Sequence, residues 1–385
     1  MFLTLLLAIS LQLESESVIL INAESGAILY QKEPHKQLDP ASTTKIATCL
    51  YALTKRPNLD ELVVGNQDCI GIISEKERLR KGYAEPPWRL EKAACHMGIK
   101  AGEVLTLRDL FNGMMIASAD DASNLIAETI SGSIPKFMEE LNLYLKKIGC
   151  NETHLDNPHG LYYPTQKSTA YDLAQMTRIA LKNAYFCAFV RAKDFIRPKT
   201  NMQESAKYSQ TNKLLRPGKY FYPNAIGVKT GWFTACGFNL VAAAEKDGRK
   251  LIAVLLGASS AKTRFEEAIA LFEAAFNEPA TKVEVLKLGK QALPIDHPSG
   301  KKGLLTIFDP LYFYSYPSEN ESYQLTFEWV SENSGKYSII DGQGNRREEV
   351  YAHVESWEEE KKSSASWAYL SLLLIPFSYF LWKKK

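Results

Sequence analysis

Three short sets of residues in this chain carry side chains fit for nucleophilic chemistry. Ser42 and Lys45 stand three apart in DPASTTKIAT, and on a helix that spacing brings two side chains together on one face. A serine hydroxyl is a poor nucleophile at neutral pH and needs a base beside it. A lysine serves as that base when burial or a second cation lowers its pKa. Ser118, in Ser118-Ala119-Asp120, can hydrogen-bond to a lysine and pass protons. Lys229, Thr230 and Gly231, in IGVKTGW, suit a carboxylate on an edge strand, with the glycine admitting a ligand close to the backbone. Each set is ambiguous alone. Ser-x-x-Lys also fits an ordinary helix start, and Ser118-Ala119-Asp120-Asp121 also reads as an N-cap before a periodic apolar run. Lys-Thr-Gly alone is a turn tripeptide.

The elements around these residues follow from local patterning. Residues 18–23 and 27–31 flank Glu24-Ser25-Gly26 as a hairpin. Ser42 or Thr43 is expected to cap a helix to about Leu53. Helical periodicity covers 106–116, 121–130, 134–148, 169–182 and 264–276. Two strands, 238–244 and 250–257, surround the turn Lys246-Asp247-Gly248-Arg249. Helices thus fill the middle while strands come from both ends, which predicts an α+β catalytic domain, an antiparallel sheet flanked by helices. After Asn277 the texture changes. Short β-rich runs at 304–308, 323–330 and 337–340, separated by Gly, Pro, Asn and Asp, predict a small all-β module, with Asp341-Gly342 as a turn. A charged stalk follows over 355–362.

The chain has 385 residues, with 46 Lys+Arg against 44 Asp+Glu and a net charge of +2, so no large basic field invites nucleic acid. Hydrophobic residues at 45% and charged residues at 23% mark a folded protein, and the length suggests two or three domains. Cys49, Cys69, Cys95, Cys150, Cys187 and Cys236 form no C-x-x-C pair. They read as buried free thiols, with one or two disulfides open if the compartment is oxidising. The histidines show no metal spacing, so neither a metal nor a cofactor is expected.

Both ends read as membrane signals. Residues 2–13 form an apolar run of signal-peptide length with small residues at Ala8-Ile9-Ser10, although no Lys or Arg stands near Met1. The signal peptide is set at 1–16, against the alternative of a buried first element. Residues 367–382, WAYLSLLLIPFSYFLW, carry no charge and precede Lys383-Lys384-Lys385. With 363–366 they make a helix of about 20 residues, the usual length to span a bilayer. Trp and Tyr at its ends fit an interfacial belt and the lysines a cytoplasmic stop. The expectation is an exported protein tethered to membrane lipid by its C-terminus, with its catalytic domain outside the cytoplasm. Its segments are a catalytic domain at 17–277, an all-β stalk domain at 278–356, and a charged stalk and anchor at 357–385.

The order Ser-x-x-Lys, Ser-x-Asp, Lys-Thr-Gly resembles the penicillin-binding and serine β-lactamase superfamily. LINAESGAILYQKEPHKQLDPASTTK, HMGIKAGEVLTLRDLFNGMMIASADDASN, NPHGLYYPTQKSTAYDLAQM and GVKTGWFTACGFNLVAAAE narrow it. Over about residues 17–275 they resemble the low-molecular-weight penicillin-binding proteins that are serine D-alanyl-D-alanine carboxypeptidases. The resemblance implies removal of the terminal D-alanine from peptidoglycan pentapeptide stems, covalent inhibition by β-lactams, and location on the outer side of a bacterial cytoplasmic membrane. It implies that Ser42 attacks the carbonyl between the last two D-alanines, Lys45 takes its proton and Ser118 relays one to the leaving amine. Lys229 and Thr230 would hold the substrate carboxylate, beside Gly231. The backbone N–H groups of Ser42 and Trp232 would hold the oxyanion. Arg264 is a further candidate carboxylate ligand, against the reading of a solvated arginine at a helix start.

Two residues depart from the family pattern. Its second motif usually ends in Asn, whereas position 120 is Asp. An ionised Asp only accepts hydrogen bonds, and beside Lys45 it favours the ammonium and makes a worse base. Asp120 is therefore expected either to detune the enzyme or to organise the cleft by pairing with Lys45 and Lys229. Trp232 stands where relatives often carry a polar side chain, which implies altered substrate fit. A DD-endopeptidase of peptidoglycan crosslinks and a weakly catalytic penicillin-binding scaffold are the competing readings. Residues 152–156 partly match the deacylating glutamate loop of some β-lactamases, with a plain helix-exit loop as the alternative.

Overall fold

The computed structural model describes residues 11–55, 58–296, 302–319, 323–341, 344 and 346–357. The chain divides into two compact units between Asn277 and Glu278.

The larger unit is built on one antiparallel sheet. Its strands are β1 (Ser17–Asn22), β2 (Ile28–Lys32), β9 (Ala225–Phe233), β10 (Gly237–Lys246) and β11 (Arg249–Ala258). They lie in the order β2-β1-β11-β10-β9, so strands from both ends of the unit meet in the middle. Register pairs Ile19 with Val254, and Val241 with both Val254 and Lys229. The central strands are apolar on both faces because helices cover both. Ile19, Ile21, Val254 and Leu256 enter one core. Val18, Leu20, Leu255 and Leu251 enter the other, against Phe265 and Phe272 of a single helix. This double burial makes these strands read as continuous apolar runs.

The elements between β2 and β9 form the helical layer and its loops. They are α1 (Lys45–Lys55), β3 (Leu62–Val64), β4 (Ile72–Ile73), α2 (Glu75–Arg80), β5 (Leu90–Glu91), β6 (Val104–Thr106), α3 (Leu107–Ile116), α4 (Asp120–Ser131), α5 (Ile134–Lys147), α6 (Ala170–Ala180), α7 (Ala184–Arg191), β7 (Asp194–Arg197) and β8 (Ala206–Ser209). The predicted helices are present, with α3, α5 and α6 starting at side-chain caps on Thr106, Ser133 and Thr169. The helix α8 (Ala261–Phe276) lies on the opposite face of the sheet. The short strands β3 to β8 carry too few residues for periodicity to reveal them.

Two local expectations differ. Ser42 does not cap a helix: residues Ala41–Thr44 form a 3-10 turn preceded by Pro40, with no side-chain cap, and α1 begins at Lys45. Ser118 is not an N-cap either, since α4 starts from Ala119 with no side-chain cap hydrogen bond. The Ser42 hydroxyl instead meets a lysine three residues on, and the Ser118 hydroxyl a lysine 111 residues away. The end of the expected signal peptide, 1–16, makes contacts with the unit. Ser15 and Ser17 are fully buried, Glu16 N donates to Leu256 O at 2.9 Å, and Lys32 Nζ donates to Leu13 O and Ser15 O at 2.6 and 2.8 Å. The Glu267 carboxylate accepts from Ser15 Oγ. Residues 13–16 are thus stitched into the unit.

The smaller unit contains β12 (Thr281–Leu286) paired with β15 (Leu311–Ser315). Its five-stranded sheet has the order β13-β14-β18-β17-β16, from β13 (Gly289–Asp296), β14 (Lys302–Ile307), β16 (Tyr323–Ser331), β17 (Ser334–Asp341) and β18 (Arg346–Trp357). Leu305, Ile307, Leu311, Tyr337, Ile339 and Ala352 form its core. The module is all-β, but β18 continues to Trp357, through the residues expected to begin a charged stalk. Among the described residues no helix is long and apolar enough to cross a membrane. The expected anchor at 367–382, most of the stalk and the first ten residues lie outside the described residues.

Candidate active site

The turn that carries Ser42 is pinned from its own sequence. Asp39 Oδ1 accepts from Ala41 N at 2.9 Å, and Thr43 Oγ1 donates to Pro40 O at 2.6 Å. Ala41 is held at φ +47°, a conformation that costs a residue with a Cβ. Behind it α1 is buried from Lys45 to Leu53. Lys45 is fully buried and its ammonium meets three acceptors: Ser42 Oγ at 2.9 Å, Asp120 Oδ1 at 2.6 Å and His159 O at 2.5 Å. A cation taken out of water is tolerable only with that degree of compensation.

Asp120 opens α4 and its own N–H donates to Cys95 O at 2.8 Å. Burial pushes its carboxyl above the usual range, while Lys45 pulls it down. The next residue, Asp121, gathers the N–H groups of Met97, Gly98 and Ile99 at 3.0, 2.9 and 3.1 Å, so the loop beside the pocket is tied to the helix start. Ser118 sits at φ +62° immediately before this helix. Its hydroxyl accepts from Lys229 Nζ at 2.9 Å.

Lys229 is contributed by β9, the edge of the large sheet, and is fully buried. Its Nζ also donates to Thr230 O at 3.0 Å. Burial, then the positive charge of Lys45, lowers the Lys229 pKa to about 7. Thr230 Oγ1 donates to Thr211 Oγ1 at 2.8 Å. Gly231 follows where space runs out: a Cβ there would lie 3.0 Å from Pro40 O and 3.1 Å from Ser42 N. Gly160 is tighter, since a Cβ would lie 2.0 Å from Ala41 O, and its φ of +92° suits only glycine.

Ser42, Lys45, Asp120, Ser118 and Lys229 are therefore linked in two hydrogen-bonded groups, while Thr230 and Gly231 extend along the same strand. Asp120 pairs with Lys45; no hydrogen bond joins it to Lys229. Arg264 goes elsewhere than expected. It is buried, and its Nη1 donates to Gly231 O at 2.9 Å and Asn239 O at 3.0 Å. The guanidinium clamps two strand carbonyls, so it is not the solvated arginine of a helix start. The Trp232 side chain is 56% exposed and stacks on Phe238 across the strand pair, centroids 5.7 Å apart. Side chains alternate along a strand, so Trp232 points away from the face shared by Lys229, Gly231 and Phe233.

Several contributing residues carried no role in the sequence reading. His159 supplies a carbonyl to Lys45, and burial plus Lys45 holds its imidazole well below the usual histidine range. The neutral ring accepts from Leu161 N at Nδ1 and meets Trp88 O at Nε2. Its place in Asn157-Pro158-His159-Gly160-Leu161 was legible, but its backbone function was not. Asn239 ties β10 to the nucleophile turn through Asp39 O at 2.9 Å. Glu152, from the loop likened to a deacylating glutamate, forms an exposed pair with His35 at 2.6 Å. The six cysteines are free thiols, with Cys49, Cys69 and Cys150 buried but Cys95 exposed and Cys187 and Cys236 half-buried.

A buried amine in contact with a serine hydroxyl, beside a second amine–hydroxyl pair, can carry out acyl transfer through serine. Comparison with known proteins agrees. A family described as D-alanyl-D-alanine carboxypeptidase matches residues 7–260. The carboxypeptidase DacF of Bacillus subtilis is 33% identical over 294 residues, covering 72% of this chain and 69% of the relative. DacD of Escherichia coli is 29% identical, covering 73% of this chain and 67% of that one. The crystal structure of penicillin binding protein 6B from Escherichia coli superposes with a TM-score of 0.62 at 25% identity, covering 88% of this chain and 95% of that one.

Proposed function

The chain belongs to the D-alanyl-D-alanine carboxypeptidase family, and from that premise we propose that it removes the terminal D-alanine from peptidoglycan pentapeptide stems through an acyl-enzyme on Ser42. The observation that carries the reading is the contact of Lys45 Nζ with Ser42 Oγ at 2.9 Å inside a buried cluster.

With Lys45 in its neutral amine form, Ser42 Oγ attacks the penultimate D-alanine carbonyl and gives its proton to Lys45 Nζ. The developing oxyanion lies between the N–H groups of Ser42 and Trp232; one such donor is worth about 2.7–4 kcal/mol in a comparable site. The C–N bond then breaks. The proton that Lys45 took from Ser42 passes by way of the Ser118 hydroxyl to the departing amine, leaving an ester on Ser42, while Lys229 keeps its charge. Water attacks that ester, the O–C bond to Ser42 breaks, and the shortened stem leaves as a carboxylate. Lys229 and Thr230 hold the carboxylate of the terminal D-alanine, and Arg264 acts as a positioning residue by fixing the carbonyls of Gly231 and Asn239. A β-lactam follows the same first step, but its leaving nitrogen stays tethered and the ester persists.

The ion pair between Asp120 and Lys45 favours a second reading, a penicillin-binding scaffold with weak turnover. Intact mass spectrometry with a labelled penicillin, followed by assay of D-alanine released from a pentapeptide, separates them. A Ser42 adduct with D-alanine release supports the carboxypeptidase. An adduct without release supports the scaffold, and no adduct overturns both. Release from crosslinked dimers instead of pentapeptides would point to an endopeptidase. The apolar run at 367–382 followed by three lysines supports tethering to the outer face of a cytoplasmic membrane. Recovery of the full chain in the soluble fraction after cell lysis would reject the tether.

A further inference from the structure

The peptide between Ala41 and Ser42 is pressed from two sides by glycine backbone. A Cβ on Gly160 would lie 2.0 Å from Ala41 O, and one on Gly231 would lie 3.1 Å from Ser42 N. With glycine at both positions, neither flank offers a side chain to hold that peptide, although Ala41 sits at φ +47°. The restraint comes from Asp39 instead. Its Oδ1 accepts from Ala41 N at 2.9 Å, which fixes the plane from which the strained φ turns toward Ser42. Its carbonyl accepts from Asn239 Nδ2 at 2.9 Å, so the same residue is held to β10. No step of the proposed mechanism uses the Asp39 carboxylate.

A carboxylate is an unfavourable group for so plain a task. Asp39 is 6% exposed, and its Oδ2 is buried with no hydrogen-bond partner among the described residues. A buried acceptor left unpaired is penalised, and a charged one more so. Asparagine closes the same kind of turn through a neutral carbonyl, with no charge to bury. The groups that face Asp39 give little relief. Lys167 is the cation whose charge reaches it, next to Ser168, which pairs with Leu38. Cys236, from the turn between β9 and β10, is neutral, its pKa raised to about 12 chiefly by burial. Burial outweighs the Ala41 N–H and Lys167, and the Asp39 pKa rises to about 6. At neutral pH the group is therefore still charged.

We propose that Asp39 is a positioning residue for acylation: its buried negative charge grips the Ala41 N–H, keeps the peptide before Ser42 in its strained turn, and does so at the expense of fold stability. A hydrogen bond to an ionised acceptor is about twice as strong as one to a neutral acceptor. Backbone strain persists at a reacting centre only where the surroundings over-determine it. The N–H of Ser42 belongs to the same peptide, so a loosened turn misplaces both the oxyanion donor and the hydroxyl. Protonation of Asp39 relaxes the grip and removes the stability penalty together. This role rests on the acyl-enzyme reading of Ser42.

The test compares the full chain with its Asp39→Asn variant, which keeps a turn-closing carbonyl and removes the charge. Acylation rates with a labelled penicillin and thermal melts are both followed against pH. Wild type is expected to acylate about tenfold faster than the variant at about pH 8 and within about twofold of it at about pH 5, because the Asp39 charge is lost as pH falls through about 6. Asp39→Asn is expected to melt higher by about 2 °C or more at about pH 8, with the gap closing toward about pH 4. The sign follows from a carboxyl whose pKa is raised by folding: its penalty is absent below the ordinary pKa and complete above the folded one. A variant that is slower and less stable by the same factor at every pH marks a packing defect and overturns the proposal, as do equal acylation rates throughout. If Asp39→Asn forms no adduct, Lys167→Gln decides. Loss of that cation is expected to move the acid limb of acylation to higher pH, and an unmoved limb overturns the role of Asp39 alone. Absence of an adduct in the wild type overturns the acyl-enzyme reading and this role with it.

Discussion

Asp120 Oδ1 lies 2.6 Å from Lys45 Nζ, and both side chains are buried. The pair joins residues 75 positions apart and sets the charge beside the nucleophile. A carboxylate here stabilises the ammonium, which opposes removal of a proton from Ser42. Asp120→Asn is accordingly expected to raise the rate of penicillin acylation by about tenfold or more, the effect of a little over 1 kcal/mol on the barrier. Stopped-flow measurement of acylation at neutral pH checks this. An unchanged rate rejects the detuning role.

Lys229 gives the pH dependence. Its pKa of about 7 is depressed by burial and then by Lys45. Below that value the ammonium is present and holds the substrate carboxylate; above it the charge is lost. The kcat/KM for a free-acid peptide, which reports the free enzyme, is therefore expected to fall as pH rises through about 7. A peptide whose C-terminus is amidated is expected to lack this limb. If both substrates show the same decline, the limb belongs to another group.

Gly160 and Gly231 differ in what an added methyl meets. A Cβ at Gly160 strikes the Ala41 carbonyl and sits at positive φ, whereas at Gly231 it meets neighbours at 3.0–3.1 Å. Gly160→Ala should destabilise the protein by about 1–3 kcal/mol, and Gly231→Ala by less. Gly231→Ala should nonetheless slow acylation, because it moves the strand away from Ser42. Thermal melts of the two variants alongside penicillin labelling test the contrast; equal melting points contradict it.

Arg264→Met removes two buried hydrogen bonds to strand carbonyls. The expected cost is about 2–4 kcal/mol, since each acceptor left without its charged donor is penalised. As a positioning residue, Arg264 should affect free-acid and amidated peptides alike once the protein is folded. A loss confined to free-acid peptides would restore the direct role in carboxylate binding expected from sequence.

Much of the framework was readable from sequence for a physical reason. Helices α3, α5 and α6 announce themselves through apolar period and capping residues, which are local properties. The hairpin of β10 and β11 is marked by its turn, and the order of Ser42, Lys45, Ser118 and Lys229 carries the family resemblance. The short strands β3 to β8 lacked enough residues to show a pattern.

Partnership was decided by the tertiary structure. Local spacing already set Lys45 beside Ser42, but it left Ser118 readable as a helix cap, and the buried amine that meets the Ser118 hydroxyl comes from 111 residues away. Arg264 looked free to meet substrate until its carbonyl partners appeared, and strand alternation turned Trp232 away while bringing Phe233 to the site face. Composition and spacing state which chemical groups the chain possesses. Which of them meet, and how far burial shifts their charges, depends on desolvation and on contacts between distant segments.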